Sequence, residues 1–211
     1  NVDSGTLAYS GTANVASVQV ASGVVLAGGT YTVNDMTAKM AAGFADSTTG
    51  QLINHGTIQP AAADMRIHGR LVSDGSLGLV SADGQQSRQI VVDGGAAVQG
   101  SKLVRTDGSS YLPDKSYTFL NASGGITGSL TNTAGSAFSG LLNLKSLVVS
   151  GTSGAVTLGL GNNIGSLNPD QQWGYDNLST LLANTQGDSA KQAQLGLLLG
   201  ASTEAAGAGL T

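Results

Sequence analysis

Short apolar runs, separated every few residues by glycine-containing turn pairs, dominate the middle of the chain. They extend from about Gly50 to Leu160 and are densest between Arg88 and Leu130. Each run has the length of a β-strand and is too short for a helix, because Asp-Gly and Ser-Gly pairs interrupt it. The sequence therefore predicts a series of closely spaced strands.

Residue types recur along this region at intervals of about nineteen positions. A repeat of roughly twenty residues with about three strands predicts one coil of a parallel β-helix, whose coils stack at about 4.8 Å. A β-sandwich is the alternative, but its strands need not recur in kind. The recurring sets are Val33, Leu52, Leu71 and Ile90; Ile58, Leu77 and Ala96; and Gly56, Gly75 and Gly94.

The composition excludes several classes of function. Among 211 residues there are 32 glycines, no cysteine and only 10% charged residues, with a net charge of -4. Nucleic acid is not expected as a partner, because phosphate binding needs clustered Lys and Arg and the nine here are scattered. The lack of cysteine excludes disulfides and cysteine-based metal or catalytic sites. The longest apolar run, Leu195 to Ala201, is too short to span a bilayer.

Three segments follow from the pattern. Residues 1–49 repeat the alternation of apolar and small residues and are predicted to be the last coils of a longer solenoid. Residues 50–162 continue it and end in two apolar strands that flank Gly151-Thr152-Ser153-Gly154, which predicts a β-hairpin. Such a hairpin would cap the open strand edge of the last coil.

Residues 163–211 are predicted to be helical. Asn168 is a candidate N-cap, followed by Pro169 at the first helical position and Gln171 as the capping-box partner. An apolar stripe at helical spacing follows, Gly187 interrupts it, and Asp188 or Ser189 can cap a second segment. Trp173 is expected either to pack in the core, to anchor the helix on the hairpin or to stack inside a pore. The stripe consists of Tyr175, Leu178, Leu181 and Leu182.

Several motifs follow one another in a specific order: GTIQP, IHGRLV, SLGLVSADG, IVVDGGAAVQGSKLV and YLPDKSYTFLNASGGITGSL, then an apolar hairpin and an NPDQQ helix ending in TEAAGAGL. This order resembles the C-terminal passenger region of type V autotransporters. The resemblance implies an all-β fold: a right-handed parallel β-helix capped by a β-hairpin and followed by a C-terminal α-helical linker. It implies that residues 50–162 are an autochaperone region. It also implies that a β-barrel would follow Thr211 and that the helical segment is a linker that passes through this barrel. The linker residues are Pro169, Trp173, Tyr175, Leu178, Leu181 and Leu182.

The resemblance implies a role in export through the periplasm and outer membrane of a Gram-negative bacterium, with display at the cell surface or secretion. The expected partners are the chain's own upstream passenger and a C-terminal β-barrel translocator, because the chain starts in mid-pattern and we expect it to be a fragment. The alternative is an adhesive or self-associating surface module.

The predicted folding nucleus lies where apolar residues are densest, near the end of the solenoid. A single coil cannot bury enough apolar surface to fold alone, so the first coil formed must template its neighbours. This region is expected to fold first on the cell surface. Its residues are Tyr117, Phe119, Leu120, Leu144, Leu147, Val149, Val156 and Leu158.

No enzymatic chemistry, cofactor or metal is predicted. Ser189 follows Asp188 in a motif that resembles a nucleophile, but the position suits a helix cap and no strand leads into it. His55 and His68 are expected to be surface residues. Six aspartates are expected mainly in turns, where Asp is favoured: Asp64, Asp74, Asp83, Asp93, Asp107 and Asp114.

Overall fold

The computed structural model describes residues 5–15, 18–33, 50–132 and 137–210. Strands are the main regular structure in this part of the chain, and the helices are confined to its C-terminal region. Residues 34–49, which the sequence assigns to the coils that precede Gly50, lie outside the described ranges.

The strands form three sheets. The first contains β1 (Gly5–Ala8), β4 (Val24–Ala27), β7 (Thr57–Gln59), β10 (Ser76–Ser81), β14 (Ser101–Arg105) and β17 (Leu130–Asn132), with β11 (Ser87–Arg88) antiparallel to β10. The second contains β2 (Thr12–Val15), β5 (Thr30–Val33), β8 (Met65–His68), β12 (Ile90–Val92), β15 (Ser116–Ala122), β19 (Ser153–Leu160) and β18 (Leu142–Ser150). The third contains β3 (Val18–Val20), β6 (Gln51–Asn54), β9 (Arg70–Ser73), β13 (Ala96–Ala97) and β16 (Ile126–Thr127).

The chain visits the three sheets in a fixed order. It passes from the first to the second to the third sheet five times within the described residues, and strands of successive circuits pair in parallel. We number these circuits coil one to coil five; they begin at β1, β4, β7, β10 and β14. The arrangement is consistent with a β-solenoid.

The nineteen-residue repeat is confirmed for two pairs of stacked strands. Leu52 pairs with Leu71 in the third sheet, and Ile58 pairs with Leu77 in the first. Gly75 also lies against Gly56, as the repeat predicts. The repeat is wrong for Ile90, Ala96 and Gly94, because residues 82–89 form a longer connection that shifts the register of coil four. Ile90 pairs with Met65 and Ala96 with Leu71, while Gly94 lies against Gly69 instead of Gly75. The repeat is also wrong for Val33, which pairs with Val15 in the second sheet, whereas Leu52 lies in the third.

The core is built from rows of side chains that stack from coil to coil. Because alternate residues of a strand point to the same side, each in-register row places apolar side chains on top of one another. One row in the first sheet consists of Leu26, Ile58, Leu77 and Leu103, and one in the second of Tyr31, Ile67, Val92 and Ala122. All of these side chains are buried.

The predicted hairpin is confirmed. β18 and β19 pair antiparallel, and Ser150 lies opposite Ser153, so the turn consists of two residues, Gly151 and Thr152. Gly151 has φ +58, which is the conformation that a two-residue hairpin turn requires at its first position.

Four helices follow: α1 (Pro169–Asp176), α2 (Leu178–Asn184), α3 (Ser189–Leu199) and α4 (Thr203–Gly209). The capping box is confirmed, since Asn168 accepts from the amide of Gln171 and the Gln171 side chain accepts from the amide of Asn168. Asp188 caps α3 by accepting from the amide of Lys191. Among the described residues, no helix is long and apolar enough to cross a membrane.

Candidate functional site

The hairpin and the four helices form one covered end of the molecule, which we call the C-terminal cap (residues 142–209). β19 pairs antiparallel with β15, so that Tyr117 lies opposite Val156 and Ser116 opposite Thr157. β15 therefore has a partner on both sides, β12 and β19. The hairpin extends the second sheet at this end, and β18 is its edge strand.

A cluster of three aromatic rings lies beneath the cap. Tyr111 is in edge-to-face contact with Tyr117, with ring centroids 5.9 Å apart, and with Phe138, at 5.2 Å. All three side chains are buried. Edge-to-face pairs of this kind add about 0.5–1.5 kcal/mol each beyond the area that they bury.

The two tyrosine hydroxyls of the cluster form hydrogen bonds with backbone groups in other segments of the chain. Tyr117 Oη donates to the carbonyl oxygen of Gly84 at 2.7 Å, and the Leu112 amide donates to Tyr117 Oη at 2.7 Å. The Tyr111 hydroxyl donates to the carbonyl oxygen of Leu79. Burial raises the pKa of Tyr111 to about 12 and raises the pKa of Tyr117 as well.

The C-terminal end of α3 is docked directly on the solenoid. The Tyr111 amide donates to the carbonyl oxygen of Gly196 at 3.0 Å, and the Ser139 hydroxyl donates to that of Leu199. Arg105 Nη1 donates to the carbonyl oxygen of Gly200 at 3.0 Å. The bonds to Leu199 and Gly200 satisfy carbonyl groups at the end of the helix, and the guanidinium complements the helix dipole. The Gly196 carbonyl oxygen also accepts from the Gly200 amide within the helix.

Close contact with α3 depends on small residues. A Cβ on Gly196 would lie 2.0 Å from Ser110 Oγ, and one on Gly200 would lie 2.7 Å from the carbonyl oxygen of Ser109. Gly196 and Gly200 are four residues apart, so they share one helix face. This spacing is a signal in the sequence that could have indicated the docked face, and the sequence analysis missed it.

Comparison with known proteins found no matching family model and no matching curated protein.

The predicted folding nucleus lies within one apolar cluster. Its residues belong to three adjacent strands, β15, β18 and β19, and all of them contribute to the core or pack against it. Tyr117, Phe119, Leu120, Val156 and Leu158 are completely buried, whereas Leu144, Leu147 and Val149 are partly buried.

The predicted linker residues do not share one environment. Leu178 is buried, and Tyr175 and Leu182 pack partly buried against the core. The side chain of Trp173 is 71% exposed, so the expectation that it packs in the core is wrong. Leu181 is also exposed, at 47%, and Pro169 occupies the first helical position as predicted.

The two histidines are surface residues, as predicted, but each binds an aspartate of the next coil. His55 Nδ1 lies 2.7 Å from Asp74 Oδ1, and His68 Nδ1 pairs with Asp93. Sequence analysis missed both pairs, because residues in different coils become neighbours only once the register is known. Asp83 has the predicted turn role and accepts from the amides of Gln85 and Gln86.

Asp107 and Asp114 lie in turns, as predicted, and each also pairs with a cation, Asp107 with Arg105 and Asp114 with Lys145. Asp64 instead joins two coils, because its Oδ1 accepts from the Gln89 amide at 2.9 Å. Within the described ranges, no three His, Asp or Glu side chains are grouped so that they could hold a metal ion.

Proposed function

We propose that this chain is the autochaperone end and stem of an exported autotransporter passenger, a right-handed β-helix whose C-terminal end folds first. The observation that carries the proposal is the contrast between the two ends of the solenoid. The C-terminal end is covered by an antiparallel hairpin and docked helices, whereas the side chains of β1, at the other end, are exposed.

The core is tighter toward the cap. From β1 to β5, the buried apolar side chains retain a few per cent exposure, as in Val24 at 6% and Leu26 at 4%, whereas from Leu52 on β6 onward many large side chains are at 0%. A complete core can be stable without a further coil, and its exposed strands can then template the preceding one. The proposed partner at that edge is the chain's own upstream passenger.

The proposal assigns the helices to the region next to a β-barrel translocator. Trp173 on α1 and Leu181 on α2 are large apolar side chains that remain exposed. We assign them to contacts with the translocator during export, after which the helices dock on the solenoid end. Folding on the outer side of the membrane would then oppose backward movement through the pore.

Paired leucine truncations test the order of folding. Leu158→Ala on β19 and Leu26→Ala on β4 each remove a buried side chain and should cost about 2–5 kcal/mol. If the cap region forms first, Leu158→Ala slows refolding of the full chain and leaves its unfolding rate nearly unchanged. Leu26→Ala instead speeds unfolding and leaves refolding nearly unchanged. Stopped-flow fluorescence or circular dichroism measures both rates.

If Leu26→Ala instead slowed refolding and Leu158→Ala sped unfolding, the proposed nucleus would be overturned.

Export is tested separately with antibodies raised against this chain and applied to intact and permeabilised cells of the source organism. Labelling of intact cells is expected. Labelling only after permeabilisation would overturn the surface role whatever the folding order.

A further inference from the structure

A groove lies at the corner between the first and second sheets, away from the cap. Three successive coils each supply one segment to it: residues 8–10, 28–30 and 61–64. We call it the corner groove. Its volume is about 430 Å³, which is within the range of about 300–1,000 Å³ that small-molecule sites occupy.

The backbone is shaped to place an aromatic ring in this groove. Gly28 and Gly29 have φ +75 and +89, and a Cβ on Gly29 would lie 2.6 Å from Cδ1 of Tyr9. A Cβ on Gly28 would lie 2.7 Å from the carbonyl oxygen of Tyr9. Larger residues at either glycine would therefore displace Tyr9 or fill the groove.

A buried hydroxyl lies beneath the floor of the groove. Tyr31 is 5% exposed, its ring centroid is 5.9 Å from that of Tyr9, and its hydroxyl has no hydrogen-bond partner in the described part of the chain. A Cβ on Gly29 would lie 2.9 Å from this hydroxyl, so the hydroxyl points at the glycine floor. Because this hydroxyl is enclosed beneath the glycines and Tyr31 is not among the residues that line the groove, it lies under the floor and does not contact a ligand.

A carboxylate lies at one end of the groove. Asp64 Oδ1 accepts from the Gln89 amide at 2.9 Å, which fixes the side chain. Asp64 Oδ2 is 4.0 Å from Arg66 Nη2, beyond hydrogen-bond distance, so it remains able to accept from a ligand. The Arg88 guanidinium donates to the carbonyl oxygen of Ala61. No Lys or Arg is among the described residues that line the groove.

These features select the chemistry of the ligand. The Asp64 carboxylate accepts hydrogen bonds from hydroxyl groups, and Arg66 at 4.0 Å offsets its charge, so a neutral ligand rich in hydroxyl groups fits best. An aromatic ring offers a flat apolar face, and pockets combine such faces with a few polar groups that fix orientation. We propose that the corner groove binds a neutral saccharide, with a sugar ring against Tyr9 and hydroxyls donating to Asp64.

The test uses the full chain and an array of neutral oligosaccharides of glucose, galactose, mannose and N-acetylglucosamine, followed by titration calorimetry with the strongest binder. Sialylated and sulfated oligosaccharides serve as anionic probes. Binding of a neutral oligosaccharide is expected. If the chain binds no neutral oligosaccharide, or binds the anionic oligosaccharides more tightly, the proposal is overturned.

Three variants separate binding from folding. Tyr9→Ala removes the lining ring and should weaken binding roughly tenfold or more. Tyr31→Phe removes only the enclosed hydroxyl beneath the floor and should leave binding unchanged while the fold stays at least as stable. Tyr175→Phe, on α1, is the matched control and should bind as the parent chain does. Unchanged affinity in Tyr9→Ala would place the saccharide elsewhere and overturn the assignment of this groove.

Discussion

The hydroxyl of Tyr117 donates a hydrogen bond of 2.7 Å to the carbonyl oxygen of Gly84. Tyr117 lies on β15 of coil five, and Gly84 lies in the irregular connection of coil four. The same hydroxyl accepts from the Leu112 amide at 2.7 Å. One buried oxygen thus joins two irregular segments, around Gly84 and Leu112, to the paired strand β15.

Tyr117→Phe should destabilise the chain by about 1–3 kcal/mol, because it leaves the Gly84 carbonyl and the Leu112 amide unpaired in a buried place. Urea unfolding followed by circular dichroism measures the loss. Tyr175→Phe removes a hydroxyl from a partly buried ring on α1 and is expected to have an effect below about 0.5 kcal/mol. Equal midpoints for both variants would contradict the bridging role of Tyr117.

A buried polar row lies inside the solenoid and links side chains of coils two, three and five. Asn54 Nδ2 donates to Ser73 Oγ at 2.9 Å, and Ser101 Oγ lies 2.9 Å from Ser73 Oγ. All three side chains are buried. Asn54→Ala is expected to cost about 1–3 kcal/mol, since it removes the amide and leaves the Ser73 hydroxyl with one partner fewer.

His55→Ala on the neighbouring position is the control for that measurement. The side chains of His55 and Asp74 are 43% and 61% exposed, so their ion pair is screened by water and contributes about 0–1 kcal/mol. Thermal or urea unfolding of the two variants should therefore differ clearly. A loss in His55→Ala as large as that in Asn54→Ala would show that the exposed pair, and not the buried row, fastens these coils.

Strand formation was predictable from the sequence because turn residues limit each apolar run. The hairpin was predictable for the same reason, since Gly151 interrupts two long apolar strands. The capping box was predictable because Asn168, Pro169 and Gln171 act within one turn of helix. Each of these features depends on residues that are close in sequence.

The register was not predictable, because the connections between the first and second sheets vary in length. Residues 82–89 and 106–115 both lengthen this corner, so the interval between stacked residues exceeds nineteen in the later coils. The same insertions supply Gly84, Tyr111 and Leu112, which lie beneath the C-terminal cap. These residues are the ones that interrupt the repeat, so periodicity in the sequence does not reveal them.

Docking of α3 on the solenoid should be sensitive to the size of one residue. Alanine normally stabilises a helix relative to glycine by about 1 kcal/mol. Gly196→Ala is nevertheless expected to destabilise the chain by about 1–3 kcal/mol, because its methyl group would overlap Ser110 Oγ. Limited proteolysis should then cut α3 earlier than in the parent chain.

Gln194→Ala, on an exposed position of the same helix, is the matched control and should leave stability and proteolysis unchanged or slightly improved. Greater stability in Gly196→Ala than in the parent chain would mean that α3 does not rest on Ser110 in solution.

The buried tyrosines should make the fold sensitive to alkali. Burial raises the pKa of Tyr111 to about 12 from its usual 10 and raises the pKa of Tyr117 too, so the folded chain holds these protons longer than the unfolded chain. Their contribution is complete below about pH 10 and is lost as the pH rises toward 12. Each group then lowers the free energy of unfolding by about 1.4 kcal/mol per pH unit.

Urea unfolding at a series of pH values from 8 to about 12, with tyrosinate absorbance recorded in parallel, measures this loss. Above pH 10, Tyr111→Phe is expected to reduce the slope of the free energy of unfolding against pH by the equivalent of about one proton. At neutral pH the variant is less stable than the parent chain, because the Leu79 carbonyl loses its donor. Tyr175→Phe, whose ring is only partly buried, is the control and should retain the slope of the parent chain. Equal slopes for Tyr111→Phe and the parent chain would mean that the ring beneath the cap exchanges its proton with water in the folded state, and that the cap does not close over it.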